Sequence, residues 1–219
     1  MHEFGAAEVL RPGEFSAPAE RQGWVTVALR ASALNWHDVL VRQGRYRSPL
    51  PHIIGADGAG VRTDTREQVV VLPSLNWGES DEAPSRHWEI LGDHTPGTYA
   101  ELVSVPADCL AAKPAGFSWP EAAALPLVGV TTYRALFIRG RLRAGESMLV
   151  VGAGGGIATM AISLAVAAGA AITVTSSSSD TIAHAVSAGA RGGVLHSETE
   201  WPEHARAMSP NKAGFDLVL

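Results

Sequence analysis

A run of small residues at positions 152–158 points most directly to chemistry. It reads Gly-Ala-Gly-Gly-Gly-Ile-Ala and joins the apolar segment 148–151 to the apolar segment 157–168. Glycines let a strand turn sharply into a helix and let the backbone approach a pyrophosphate, whose charge the free N–H groups of the helix start attract. A tight structural turn is the ordinary alternative. We predict dinucleotide binding by Gly152, Ala153, Gly154, Gly155, Gly156 and Ile157.

The segment after the second apolar strand bears on which dinucleotide binds. An NADH site usually has an acidic residue at this strand end, which binds the ribose hydroxyls. Here the strand ends at Thr175 and continues into Ser176 and Ser177, and no acid comes before Asp180. Hydroxyl groups can bind a 2′-phosphate without repelling it, although no Arg or Lys stands nearby to pair with it. We therefore predict NADP(H) rather than NAD(H), with a serine-rich turn and helix cap as the alternative.

The elements around these residues predict an α/β protein with a β-rich N-terminal part. From position 146 onward, strand patterns (148–151, 171–175, 194–195, 215–219) alternate with helix patterns (157–168, 180–188, 202–208). This order predicts a doubly wound parallel sheet. The first ~115 residues instead carry the strand patterns 24–30, 68–72 and 98–105 between Gly and Pro turns, which favours a barrel or sandwich. Ser118, with Glu121 three residues later, is typical of a helix start.

Composition narrows the classes of partner and compartment. The formal charge of −5 and the absence of a basic block argue against nucleic acid as a partner. The single cysteine, Cys109, excludes an intrachain disulfide and a multi-cysteine zinc lobe, which suits a cytoplasmic protein. Neither a secretory leader nor a convincing membrane span is present, so we expect a cytoplasmic protein without a membrane partner.

Several stretches together resemble the medium-chain dehydrogenase/reductase family, especially its zinc-free quinone oxidoreductase and enoyl reductase branch. They are HEFGAAEVL (2–10), ALNWHDVLVRQG (33–44), LPHIIGADGAGV (50–61), GTYAELVSVPA (97–107), EAAALPLVGVTTYRAL (121–136) and RAGESMLVVGAGGGIA (143–158). The resemblance implies a GroES-like β-barrel catalytic domain over 1–115, followed by a partial Rossmann domain over 116–219. It also implies a cleft between the two domains that holds nicotinamide and substrate.

The resemblance also carries expectations about metal and catalysis. Zinc-dependent members have cysteine and histidine ligands where this chain has Asn35 and Ala56, so we expect no metal. The remaining candidate ligands (His37, Asp38, His52, Asp57, His87 and His94) lack the close spacing of known zinc sites. The chemistry implied is direct hydride transfer from NADPH to a quinone or an α,β-unsaturated carbonyl.

Three residues are the catalytic candidates. Asn35 is expected near nicotinamide and substrate, with a backbone turn bond as the alternative. Thr131 matches a family threonine that approaches the nicotinamide, although it could instead bond its own helix. His37 could relay a proton, but a partly buried structural role is the stronger alternative.

The sequence departs from the family at its end. It stops at Leu219, within the predicted fourth strand of a sheet that has six in complete Rossmann domains. We therefore expect a fragment or truncated reading frame with little hydride-transfer activity, although its full-length parent is active and could form a homodimer as its relatives often do. Two alternatives stay open: a non-catalytic dinucleotide-binding or interaction remnant of the fold, and a zinc-dependent alcohol dehydrogenase with a rearranged site.

Overall fold

The computed structural model describes residues 1–219 and divides into two compact units, Met1–Leu127 and Val128–Leu219. The first unit is built on a five-stranded antiparallel sheet in the order β6-β1-β2-β3-β7. Its strands are β1 (Trp24–Ser32), β2 (Gly58–Arg62), β3 (Gln68–Val71), β6 (Leu102–Pro106) and β7 (Leu110–Ala112). A separate pair is formed by β4 (Ser74–Leu75) and β5 (Glu89–Ile90).

Alternation in the strands of this sheet explains where its core lies. Val27 on β1 is fully buried, as are Val71 on β3 and Val105 on β6. They pack in one cluster with Leu75 and Leu91. Because side chains on a strand alternate between the two faces, one face of the sheet is apolar and covers this core.

Two short helices belong to the first unit, α1 (Trp36–Arg42) and α2 (Trp119–Ala123). Helix α2 begins as predicted, because Ser118 accepts a hydrogen bond from the Glu121 backbone N–H and the Glu121 carboxylate accepts one from the Ser118 N–H. The predicted strand 98–105 is wrong in its first half: residues 98–101 form bends, because the Thr98 and Tyr99 N–H groups bond to the loop carbonyls of Gly55 and Ile54.

The second unit contains the predicted parallel sheet, in the order β10-β9-β8-β11. Its strands are β8 (Ser147–Val150), β9 (Ala171–Ser176), β10 (Gly192–Leu195) and β11 (Leu217–Val218). Its helices are α3 (Pro126–Tyr133, which begins in the first unit and continues as a π-helical turn over Arg134–Arg139), α4 (Gly156–Ala167), α5 (Ser179–Ser187) and α6 (Trp201–Ala207).

Small residues set the packing of α4 on this sheet. Ala158, Ala161 and Ala165 are buried on one side of the helix, in the same cluster as Met148 of β8 and Ile172 of β9. Small side chains at this spacing let the helix lie close to the strands, which brings its first turn directly over the carboxyl end of β8. In the whole structure, no helix has the length and apolar character needed to cross a membrane.

Candidate functional site

The glycine turn lies between β8 and α4, as the sequence predicts. Gly152 has φ +84, a left-handed conformation that favours glycine, and its N–H donates to the Thr175 hydroxyl at 3.1 Å. A Cβ placed on Gly152 or Gly155 would meet no atom within 4 Å, so open space lies against the backbone there. Residues 154–157 are exposed, and the N–H groups of a first helical turn have no partner within the helix. The turn therefore fits the phosphates of a dinucleotide.

The three hydroxyl residues predicted to contact the adenosine side differ in their surroundings. Thr175 is fully buried, and its hydroxyl lies between the Gly152 N–H and the His196 imidazole. The Ser176 hydroxyl is also buried and accepts a hydrogen bond from the Ser178 N–H at 3.2 Å. Only Ser177 is exposed. Two of the three hydroxyls thus already hold the strand end in shape.

In the first unit, Asn35 is held by a buried carboxylate. The Asn35 Nδ2 donates to Asp57 Oδ1 at 2.8 Å, and the Leu127 N–H donates to Asp57 Oδ2 at 2.7 Å. Because the carboxylate accepts from Nδ2, one amide hydrogen of Asn35 is taken and the second remains available. Asn35 itself is half-buried between Leu34 and Trp36, which are 88% and 76% exposed. This arrangement gives a fixed amide donor at the rim of the unit.

Burial dominates the electrostatics of Asp57. The side chain is fully buried, and desolvation raises its pKa to about 6, although the hydrogen bonds from Leu127 and Asn35 act in the opposite direction. The nearby charge of Asp38 raises the pKa further, and His37 opposes it. Asp57 can therefore change its protonation state just below neutral pH.

His37 lies in a buried ion pair. Its Nε2 is 2.8 Å from Asp93 Oδ1, and its Nδ1 is 3.7 Å from Asp38 Oδ1, which is too long for a hydrogen bond. Burial alone lowers the pKa of His37, but the two carboxylates outweigh burial and raise its pKa to about 9. The imidazolium therefore ties α1 to the loop that carries Asp93.

Asp38 fastens the start of α1 to the same cluster. Its Oδ2 accepts hydrogen bonds from the Asn35 N–H at 2.8 Å and from the Tyr99 hydroxyl at 3.0 Å. Burial and the charge of Asp38 raise the pKa of Tyr99, which keeps the phenol protonated as a donor. The backbone that positions Asn35 is thus fixed from two sides.

A crossing of loop backbones lies beside this cluster. A Cβ added to Gly97 would overlap the Gly55 carbonyl oxygen and the Ile54 carbonyl carbon. Gly97 donates its N–H to Ile53, and Thr98 donates its N–H to Gly55, so the two chains run in direct backbone contact. The Thr98 hydroxyl then bonds to the Asp57 carbonyl at 2.8 Å. This crossing sets the position of Asp57.

Thr131, the third catalytic candidate, lies in the second unit on α3 and is exposed. The neighbouring Thr132 hydroxyl is buried without a partner. The structure brings Asn35 and His37 into one cluster within the first unit, and the role of Thr131 stays a prediction.

Asn35 and the buried Ala56 occupy the two positions at which the family resemblance implies zinc ligands in zinc-dependent members. In the structure, no group of three or more His, Cys, Asp or Glu side chains has the arrangement of a metal site. His37 and Asp38 are engaged in the ion-pair cluster, and the His52 Nε2 bonds to the Gly92 carbonyl at 2.9 Å. These residues therefore have structural partners.

Sequence reasoning missed three polar residues of these sites as partners: Asp57 and Asp93 in the first unit and His196 in the second. Their partners lie 22, 56 and 21 positions away along the chain. A carboxylate within the apolar segment 53–61 was the one available signal, because a buried charge needs a partner.

Comparison with known proteins places these features in a family. The alcohol dehydrogenase GroES-like domain matches residues 21–115. A crystal structure of an NAD-dependent alcohol dehydrogenase superimposes with a TM-score of 0.93 at 35% identity, covering 100% of this chain and 68% of that one. This chain belongs to the medium-chain dehydrogenase/reductase family. Its first unit contains the GroES-like domain, and a parallel sheet follows it, as in the family.

Other members differ in what their names state. A zinc-type alcohol dehydrogenase-like protein of Schizosaccharomyces pombe is 31% identical, over 99% of this chain and 66% of that protein. The 2-methylene-furan-3-one reductase of Solanum lycopersicum is 33% identical over 74% of this chain and 42% of its own length. The quinone oxidoreductase of Thermus thermophilus, solved also with NADPH, superimposes with a TM-score of 0.73 at 30% identity. The match covers 94% of this chain and 60% of that one. The relatives are oxidoreductases, and the chain spans two thirds of their length or less.

Proposed function

We propose that this chain is part of an oxidoreductase that uses NADP(H) and transfers a hydride, without zinc, to a quinone or an α,β-unsaturated carbonyl. The observation that carries the proposal is the Asn35–Asp57 pair, an amide held by a buried carboxylate. It occupies the position at which the family resemblance implies a cysteine ligand in zinc-dependent members. The names of the tomato reductase and the Thermus oxidoreductase support this substrate class.

The residues of the second unit would hold the cofactor. The glycine turn fits the pyrophosphate, because its backbone is open at Gly152 and Gly155 and the first turn of α4 offers N–H groups and a positive dipole end. When bound, NADPH supplies the hydride. The protein's part is to orient the reactants and to exclude competing reactions.

In the first unit, Asn35 is the donor to the substrate oxygen. Negative charge builds on a carbonyl or quinone oxygen as the hydride arrives, and an N–H aimed at that oxygen stabilises it. Asp57 holds one amide hydrogen of Asn35, and the second hydrogen is the donor. Since the Asp57 carboxyl is fully buried, it acts through Asn35 and is a positioning residue.

The test is NADPH oxidation by the full-length protein that contains this chain, with a quinone and with an enone, and NADP⁺ reduction by the same protein with a primary alcohol. We expect turnover with the conjugated acceptors, loss of about tenfold or more in kcat on Asn35→Ala, and little change in KM for NADPH. Stoichiometric bound zinc in a metal analysis, or alcohol oxidation that depends on added zinc, would contradict the proposal. Asp64→Asn, at an exposed ion pair with Arg62, is the matched control.

A further inference from the structure

One polar group at the carboxyl edge of the parallel sheet has no role in the proposed chemistry. His196 follows β10 directly, and its N–H donates to the Ser176 carbonyl at 2.9 Å. In the sheet register, Val194 pairs with Thr175, and Leu195 pairs with Ser176. The end of β10 therefore lies beside the end of β9, the strand end that faces the ribose in dinucleotide-binding folds.

A short chain of hydrogen bonds connects the glycine turn to this imidazole. The Gly152 N–H donates to Thr175 Oγ1 at 3.1 Å, and the same oxygen is 3.1 Å from His196 Nδ1. The Gly152 N–H uses one lone pair of the Thr175 hydroxyl oxygen, so the hydroxyl hydrogen is free to be donated. The acceptor within reach of that hydrogen is His196 Nδ1. When Thr175 donates to Nδ1, a neutral imidazole carries its proton on Nε2.

The Nε2 side of His196 is open to a ligand. Nε2 has no hydrogen-bond partner, and it is not among the buried polar atoms that lack one. Nε2–H is a donor both in the neutral imidazole that is protonated on Nε2 and in the imidazolium. In the first state Thr175 donates to Nδ1, in the second it accepts from Nδ1, and in both Nε2 offers a hydrogen bond to a ligand.

His196 also stands out at this strand end by its side-chain type. Among residues 152–158, 175–181 and 192–197, it is the only side chain that can carry positive charge, and Arg191 precedes β10 at the opposite end of that strand. The acidic groups nearby in sequence are Asp180, in the first turn of α5, and Glu198, which lies 3.6 Å from His204. In these three segments, His196 is therefore the one side chain that could pair with a phosphate as a cation.

We propose that His196 recognises the 2′-phosphate of NADP(H), and that Thr175 orients the imidazole from the glycine turn. The proposal rests on the proposed cofactor and extends it, because it assigns the choice between NADP(H) and NAD(H) to a residue outside the serine run. Relatives of this chain include both an NAD-dependent alcohol dehydrogenase and an oxidoreductase solved with NADPH, so the family fold alone does not decide that choice.

The experiment measures binding of NADP⁺ and of NAD⁺ to the full chain by calorimetry, without substrate. His196→Ala should weaken NADP⁺ binding about tenfold or more, because a hydrogen bond to a charged group is lost, and should change NAD⁺ binding by less than about threefold. His184→Ala, an exposed histidine on α5, is the matched control and should change neither.

Two Thr175 variants test the orientation step. Thr175→Val removes the hydroxyl and should reduce the NADP⁺ preference, whereas Thr175→Ser keeps it and should restore the preference. The His196 imidazole ¹⁵N signals should shift on addition of NADP⁺ and much less with NAD⁺.

The outcomes separate the two proposals. If the wild-type chain binds neither dinucleotide, the proposed function fails, and the role of His196 fails with it. If the wild type binds NADP⁺ but His196→Ala leaves the ratio of the two affinities unchanged, only the assignment of His196 is overturned. An equal loss of both cofactors in that variant also overturns it, because it would reflect a disturbed sheet edge.

Discussion

Replacement of Asp93 by Asn should remove a pH-dependent part of the stability of the first unit. Asp93 accepts from His37 at 2.8 Å, and the His37 side chain is 8% exposed, so water screens the pair weakly. The folded state raises the pKa of His37 from 6.5 to about 9, which corresponds to about 3 kcal/mol of preference for the imidazolium.

The sign follows from the raised pKa. A histidine that binds its proton more tightly in the folded state stabilises that state fully below pH 6.5, and the contribution is lost as the pH rises to about 9. In Asp93→Asn, the imidazole stays buried with only Asp38 at 3.7 Å, so its pKa should fall and the loss of stability over this range should shrink.

The assay is urea unfolding at a series of pH values, followed by tryptophan fluorescence. Five of the six tryptophans lie in the first unit, so the signal reports on that unit. Imidazole ¹⁵N signals give the titration of His37 directly. Parallel stability profiles for wild type and Asp93→Asn between pH 6.5 and 9, or a His37 that titrates below 6.5, would refute the assignment.

Three further predictions concern other parts of the chain. Gly152→Ala should cost about 1 kcal/mol or more of stability and weaken NADP⁺ binding, because φ at Gly152 is +84. Gly155→Ala, at φ −85, should weaken NADP⁺ binding without a loss of stability. Thermal unfolding measures the effect on stability, and calorimetry measures the effect on binding. Ionisation of Asp57 should cost the folded state about 3 kcal/mol as the pH rises from 3.8 through about 6. Asp57→Asn should therefore flatten the profile of unfolding free energy against pH over that range. An unchanged profile would contradict the raised pKa of Asp57. Burial raises the pKa of Cys109 to about 12, so a thiol reagent at pH 8 should label it only after unfolding, and rapid labelling of the folded chain would contradict this.

The glycine turn and the parallel sheet were predictable because their signals are local. The run 152–158 lies between two apolar segments, and the helix start at Ser118 needs only Glu121 three residues later. The strand predicted over 98–105 shows where local pattern fails. Its alternation is real, but the N–H groups of Thr98 and Tyr99 bond to a loop more than 40 residues earlier, which periodicity cannot register.

The polar clusters could be predicted only in part. Asn35 and His37 are identified by the family resemblance, but the carboxylates that hold them are 22 and 56 positions away. Asp57 gives one signal, its place within the apolar segment 53–61, and Asp93 gives none. Whether a charged side chain is buried depends on tertiary packing, and so do the pKa of His37 and the orientation of the Asn35 amide.

The backbone crossing at Gly97 affects how variation in this chain would be interpreted. A scan of all single substitutions should find Gly97 as intolerant as Asp57, since any Cβ there collides with the carbonyl of Gly55 and displaces the loop that bonds to Asp57. A purely steric position beside a reactive cluster would then look like part of the chemistry. A substitution that removes charge but keeps volume distinguishes the steric position from the charged one. Asp57→Asn keeps the packing at Asp57, whereas every substitution of Gly97 adds a Cβ and disturbs the packing there.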